Sequence, residues 1–293
     1  MIRAAPRLVP AYCTALALLV PLWLLMHWTP VAELLRHGDT PLLLAVCALY
    51  GAAHLSRMLR LALLTLNQRD KAPALAAAHA LTAFPSSLLP FKIGEVLRLA
   101  ALFHVYDYRR EALAVWLAER FGDVLVLATL ILGLYLLRVD VPPAMRLVFV
   151  LFVVVSAFAL TALFAVAKTF VYLNRHLVLS SHSARGLRLL RASHALRQLE
   201  LAIYRAVEGR LAGFLLVSLL IWVLEIAALA LFIQLMADGW SGFAGLFASG
   251  VMASLAGSGS AAYGLYRSLA LVALTLLFLA GLALAARIRH TRP

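Results

Sequence analysis

The run LVPAYCTALALLVPLWLLM, Leu8 to Met26, is the feature that most restricts this chain. It comes close to the roughly 20 apolar residues that span the hydrocarbon core of a bilayer as a helix. Val124 to Leu137, Leu147 to Val166, Leu211 to Met236 and Leu269 to Ala286 are comparable runs. None alternates polar with apolar residues as barrel strands must, so the expected class is all-α. Soluble domains are about half apolar and a quarter charged. This chain is 64% hydrophobic and 13% charged, which places it among integral membrane proteins.

The 26 basic residues outnumber 13 acidic ones, a net charge of +13. A nucleic-acid partner would need a soluble domain to present a groove, and no stretch supplies one. The excess instead fits positive-inside topology and anionic lipid. Cys13 and Cys47 both lie inside apolar runs, so neither a disulfide framework nor a CxxC metal site is expected. Met1 to Arg7 and the run behind it show no convincing small-residue cleavage site, and we read them as a retained first helix.

Two apolar stretches decide the topology. Residues 72–91 are interrupted by Pro73, Pro85 and Pro90, and residues 241–263 are rich in Gly and Ser. If both are re-entrant or half-crossing, about six full spans remain, near 8–28, 41–64, 112–137, 146–168, 211–236 and 264–286, with both termini cytoplasmic. Most basic residues then face the cytoplasm, and the outer side keeps Arg36, Arg138, Arg146 and Arg267. A full crossing by residues 72–91 would move the basic residues of 92–110 and 168–210 outside, against the positive-inside bias.

The expected organisation is thus one transmembrane domain over 1–293, a helical bundle. Its first half, 1–140, holds the broken segment 72–91. Its second half, 141–293, holds a cytoplasmic segment 168–210 and the broken segment 241–263. The stretches SLLPFKIGEVLRLA (87–100) and SLAGSGSAAYGLYRSLA (254–270) share an apolar run, a small-residue break, a Gly and a following Arg. Paired interrupted segments entering from opposite faces point to an inverted-repeat transporter with its site at the repeat interface. Chance likeness between Leu- and Gly-rich segments is the competing account. Within 168–210, Leu189, Ala192, Leu196, Leu199, Ile203 and Val207 follow helical spacing, while Arg191, His194 and Arg205 point away. That pattern fits a helix on the inner leaflet or a solvated connector.

Charges inside so apolar a chain are costly unless used. Pro90 ends one segment and Gly94 permits a turn, so a helix is expected to start near Gly94 or Glu95. Unpartnered N–H groups in its first turn, with Lys92 and Arg98 beside them, suit a phosphate. Glu95 either meets a cationic headgroup or pairs with Arg98 three residues on. The bland account is a snorkelling interfacial cap. Glu119 and Asp123 share a helix face with Arg120 alongside, as a closed ion-pair network or as a polar path for a headgroup. His54, Arg57 and Arg60 recur every three residues as a basic stripe, by snorkelling or by headgroup contact. Glu225, near the middle of a span, must be protonated or partnered, and proton coupling is one role for it.

No HExxH, P-loop, nucleophile elbow or metal-spaced cluster occurs, so neither a cofactor nor a metal is expected and catalysis is not the expected role, although Glu119 and Asp123 leave a general acid/base pair open. The stretches LLPFKIGEVLRLAALF (88–103) and AVWLAERFGDVLVL (114–127) carry a resemblance. Pro90, Gly94, Glu95 and Arg98, then Glu119, Arg120 and Asp123, resemble the signature of the lysylphosphatidylglycerol synthase transmembrane family, also called the flippase-like domain family. The chain resembles a short form, without the aminoacyl-transferase domain of synthase members, so headgroup synthesis is not implied. The resemblance implies a multi-helix inner-membrane protein that moves lipids between leaflets. In the family the Gly-rich second motif usually ends in an acidic residue, where this chain offers Tyr263 and Arg267.

The leading expectation is therefore a lipid flippase or scramblase. Lys92, Gly94, Glu95 and Arg98 would meet the headgroup, Arg57, Arg60, Glu119, Arg120 and Asp123 would line its path, and Pro90, Gly257, Gly259 and Gly264 would form the gates. Its partners would be anionic or lipid-linked membrane lipids. The alternative is a non-transporting membrane partner of a lipid-modifying or glycosyl-transferring enzyme.

Overall fold

The computed structural model of the protein describes residues 8–37, 39–88, 93–136, 143–161, 184–235 and 261–291, with 165, 169, 172, 173, 175 and 176 between them. Every regular element among the described residues is helical. In chain order they are α1 (Leu8–His37), α2 (Thr40–Leu64), a 3₁₀ segment (Leu66–Lys71), α3 (Ala72–Leu88) and α4 (Ile93–Val105). Then follow α5 (Arg109–Leu136), α6 (Pro143–Thr161), α7 (Ala184–Val207), α8 (Leu211–Leu235) and α9 (Ala261–Thr291).

By length and composition, Thr40–Leu64, Leu211–Leu235 and Tyr263–Ile288 can each cross a membrane, and Ala11–Met26 and Phe149–Phe158 are shorter apolar stretches. Leu18, Leu22, Leu25 and Met26 on α1, and Val150, Leu151, Val154 and Phe158 on α6, are exposed. Apolar surfaces of this kind belong against lipid rather than water. The protein is an all-helical membrane protein.

The chain forms two compact units, Met1–Asp107 with Leu216–Pro293, and Tyr108–Leu215. In the first, Leu16, Val20 and Trp23 of α1 pack with Leu81 and Phe84 of α3 and with Leu271, Leu274 and Phe278 of α9. Trp23 and Phe84 meet edge to face at 5.8 Å, a favoured aromatic arrangement. A second cluster joins Leu43 and Val46 of α2 to Ala228, Phe232 and Ile233 of α8 and Leu269 of α9. A Cβ on Gly281 would stand 2.6 Å from the Ala80 Cβ, so the missing side chain lets α3 and α9 pack closely.

Pro73 and Pro85 do not break the helix as the sequence suggests. Pro73 sits in the first turn of α3, where its missing N–H is not needed. Pro85 lies inside α3 and withholds the hydrogen bond normally made to the carbonyl four residues back, that of Leu81. The Tyr12 hydroxyl of α1 donates to that carbonyl at 3.4 Å. A neighbouring helix thereby supplies the partner the proline removes. Pro90 falls in 89–92, outside the described residues.

α4 begins at Ile93, just ahead of the start expected near Gly94 or Glu95, so Gly94 is part of the helix rather than a turn, and α4 folds back along α3. A Cβ on Gly94 would lie 2.2 Å from the Ser86 Cα, and the Ser86 hydroxyl donates to the Gly94 carbonyl at 3.0 Å. At the other end Lys71 Nζ lies 3.0 Å from Asp107 Oδ2 and 5.2 Å from the centre of the Tyr106 ring. The pair α3–α4 is therefore an antiparallel hairpin that returns at residue 107 to the end it left at residue 71.

In the second unit α5 packs against α6 and α7. Ala112, Ala114, Val115 and Ala118 are buried on α5. On α7 the expected stripe is half realised: Ile203 is buried and Leu196, Leu199 and Val207 are half-buried, while Ala192 is exposed. Arg191, His194 and Arg205 are exposed, as the spacing predicts. Arg197 pairs with Glu200 at 2.6 Å along the same helix.

Gly94 offers a direct check on the hairpin. Gly94→Ala should lower stability by about 1–3 kcal/mol, the range for forcing atoms into a packed contact. Gly51→Ala in α2, where an added Cβ meets nothing within 4 Å, should be neutral or slightly stabilising. Thermal unfolding of both variants in detergent micelles decides it, and equal shifts would contradict the close approach.

Candidate functional site

Helical spacing sets one polar face on each of three helices in the first unit. Tyr50, His54 and Arg57 fall at i, i+4 and i+7 on α2. His79, Thr82, Ala83, Ser86 and Ser87 fall at i, i+3, i+4, i+7 and i+8 on α3, and Glu95 and Arg98 at i and i+3 on α4. Together with Glu225 of α8 these side chains line a single cavity of about 150 Å³. By the rise of an α-helix, Glu225 stands about 21 Å along α8 and the α2 residues about 15–26 Å along α2. The cavity thus lies halfway along two helices able to cross a membrane.

Two of its charged wall residues are paired directly. Arg57 Nη2 donates to Glu225 Oε1, an ion pair between α2 and α8. Glu225, which the sequence required to be protonated or partnered, has its partner 168 residues away. Arg98 is buried, and Glu95 is half-buried on the same α4 face. Formal charges on the lining residues balance, with Arg57 and Arg98 against Glu95 and Glu225. In the same lining, His54 Nδ1 lies 3.2 Å from His79 Nε2, and the Tyr50 ring sits 5.0 Å from that of His54.

The cavity's end toward the hairpin tip is held by Arg267 of α9. Its Nε and Nη2 donate to the Ser87 carbonyl at 3.0 and 2.7 Å, and Nη2 also reaches the Leu88 carbonyl at 2.6 Å. The last carbonyls of a helix lack intrahelical partners and carry partial negative charge, so a guanidinium there satisfies both needs.

The sequence-derived residues separate accordingly. Arg57, Glu95, Arg98 and Glu225 converge on the cavity, and Gly94 shapes the hairpin beside it. Arg60 does not line the cavity: it is fully buried and its Nη1 donates to the Ser218 hydroxyl at 3.1 Å. A helical turn of 3.6 residues carries position 60 off the face shared by 54 and 57. Glu119, Arg120 and Asp123 belong to the second unit, where Glu119 is fully buried and Arg120 Nη1 lies 3.3 Å from Asp123 Oδ2. At Gly264 an added Cβ would meet nothing, so close packing does not require a glycine there. Lys92, Pro90, Gly257 and Gly259 lie outside the described residues.

Tyr50, His79, Thr82, Ser86, Ser87 and Arg267 escaped the sequence reading. A signal existed for His79, since an ionisable group within an apolar helix is costly and calls for a use. The hydroxyls carried none, because serine and threonine are common in membrane helices as self-bonded residues, as Thr82 is to the Ala78 carbonyl at 2.7 Å.

The Arg57–Glu225 pair can be tested by a double-mutant cycle. Glu225→Leu alone leaves the guanidinium without its carboxylate and should cost about 3 kcal/mol, whereas Arg57→Leu with Glu225→Leu should recover most of that loss. Thermal unfolding of the two single variants, Glu225→Leu and Arg57→Leu, and of the double variant in the same detergent gives the answer. A double variant whose loss equals the sum of the two single losses would rule out coupling.

Comparison with known sequences bears on what such a cavity belongs to. Among curated proteins and among solved structures no match is found. The sequence model of the lysylphosphatidylglycerol synthase TM region matches residues 12–260, which take in α2, α3, α4 and α8 and both quoted motifs. That span is most of the chain, and the protein belongs to the lysylphosphatidylglycerol synthase TM region family.

Proposed function

We propose that the protein is a lipid flippase or scramblase of the inner (cytoplasmic) membrane, moving a phospholipid or lipid-linked headgroup between leaflets without chemically altering it. The observation that carries this reading is the charged cavity halfway along apolar helices. A headgroup crossing hydrocarbon unaided loses its hydration, and a site that offers charges and hydroxyls at that depth lowers the cost. The acyl tails remain in lipid while the head passes.

In this reading Arg98 and the N-terminal turn of α4 hold the phosphate, since free N–H groups and a cation favour an anion there. Lys92, just ahead of α4 in sequence, supplies a further cation. Glu95 takes a cationic part of the headgroup. The α3–α4 hairpin enters and leaves from the cytoplasmic side, both chain termini are cytoplasmic, and the basic residues around positions 69–71 and 109–110 lie at the inner leaflet. Membership of a lipid-associated membrane family supports the substrate class.

The test uses purified protein in phosphatidylcholine vesicles doped with fluorescent phosphatidylglycerol, with external quenching to follow exchange between leaflets. Wild type should accelerate exchange over empty vesicles. Arg98→Gln and Glu95→Gln should each slow it roughly 10-fold or more, the scale of a lost hydrogen bond to a charged group, while Arg205→Gln on the exposed face of α7 should not. Wild-type protein that moves no lipid would favour the non-transporting partner of a lipid-modifying enzyme.

A further inference from the structure

The histidine pair in the cavity lining is not used by the headgroup contacts above. His54 and His79 come from different helices, both are buried, and their facing nitrogens are 3.2 Å apart. A hydrogen bond across that gap needs one proton, on one nitrogen or the other. The remaining ring nitrogen of His79, Nδ1, is buried and meets no hydrogen-bond partner among the described residues. It is either a donor or a base with unmet capacity, in a ring that lines the cavity. Among the described residues no third histidine, cysteine or carboxylate groups with the pair as a metal ligand.

The surroundings determine what the pair can do. It shares the cavity lining with Tyr50 and Arg57 of α2, Glu95 and Arg98 of α4 and Glu225 of α8, and the buried guanidinium of Arg60 on α2 also bears electrostatically on His79. α3 adds the hydroxyls of Thr82, Ser86 and Ser87. From α9, Tyr266 reaches the Tyr50 ring at 6.4 Å, Tyr263 lies behind it, and Arg267 is bonded to the end of α3. Among the residues that line the cavity, two guanidinium groups and two carboxylates balance while both imidazoles are neutral; Arg60, held by the Ser218 hydroxyl, stands outside that lining. An anion entering the cavity breaks that balance by one negative charge, and unbalanced charge within an apolar surround is costly. Glu225 already accepts a hydrogen bond from the Arg57 guanidinium. The imidazoles are the lining groups whose ordinary titration falls in the physiological range.

Building on the headgroup reading, we propose that the cavity takes up a phosphodiester monoanion together with one proton, and that the proton is held by the His54–His79 pair. Protonation places donors on both rings, keeps the bond between them and restores neutrality. By reciprocity, whatever tightens the anion as protons are added also tightens the proton when the anion binds. A proton gradient across the membrane thereby biases the direction in which an anionic headgroup moves.

The experiment is calorimetric binding of dihexanoylphosphatidylglycerol to the purified full chain in detergent micelles. It is run in buffers of different ionisation enthalpy, with soluble dimethyl phosphate as a second ligand. Neither diester titrates near neutrality, so any proton exchanged belongs to the protein. We expect uptake of about one proton per anion near pH 7, and affinity that weakens about tenfold per pH unit where that uptake holds. Equal uptake with both ligands assigns recognition to the phosphodiester itself, and uptake with the lipid alone assigns it to a headgroup held by its tails. His54→Asn with His79→Gln, which keeps amide groups where the bonded nitrogens stood but removes their basicity, should bind without proton uptake. Wild-type binding with no proton uptake, or uptake retained in the double variant, overturns the proton proposal and leaves the headgroup site standing. No binding of either diester by wild type overturns the headgroup site and this proposal with it. The wild-type buffer series decides the matter even where the double variant does not fold.

Discussion

A guanidinium and a carboxylate placed halfway along two apolar helices have few places to go. Arg57 and Glu225 meet because each lowers the cost of holding the other within apolar helices. Their meeting sets the register of α2 against α8. Arg60 then falls beside Ser218, and Leu43 and Val46 beside Phe232 and Ile233. Those successive pairs run in opposite directions along the two helices, which are therefore antiparallel. The apolar contacts supply area, but they would tolerate a slip of one turn that the ion pair would not.

The same demand governs the backbone. α3 contains a proline and ends where the chain must reverse, so it exposes carbonyls that its own helix cannot satisfy. Tyr12 takes one near the middle and Arg267 takes two at the end. Elements far apart in sequence are thereby tied to α3 by the hydrogen bonds it lacks. Gly94 and Gly281 act alongside these ties, since each lets a neighbouring helix approach to a distance that a side chain would block.

A cavity survives among these helices because the α3 face that lines it is built of Thr82, Ala83, Ser86 and Ser87, residues too small to fill the space between α2 and α4. Larger apolar groups in their place would close it. The wall residues opposite are long and charged, so the space is both open and polar. In the proposed function these two properties are the ones a headgroup needs, and the buried imidazole pair adds a group able to exchange a proton at the same depth.

From residues alone the chain declares a helical membrane protein, because runs of about 20 apolar residues allow little else. A helix start within a residue or two of Ile93 and the exposed basic face of α7 were legible too, since each rests on local spacing. So was the need of Glu225 for a partner, as a matter of energy. Which partner was not legible: Arg57 lies 168 positions away, and charge pairing along a sequence carries no distance. Arg60 looked equivalent to Arg57 as a three-residue repeat, but the 3.6-residue turn moves it off the shared face and it meets α8 at Ser218, away from the cavity. His79 and the α3 hydroxyls became a site only when α2, α4 and α8 closed around them. Local pattern records the energetic demands of each segment, while tertiary structure decides which distant group meets each demand, because many pairings satisfy the pattern and close packing admits one.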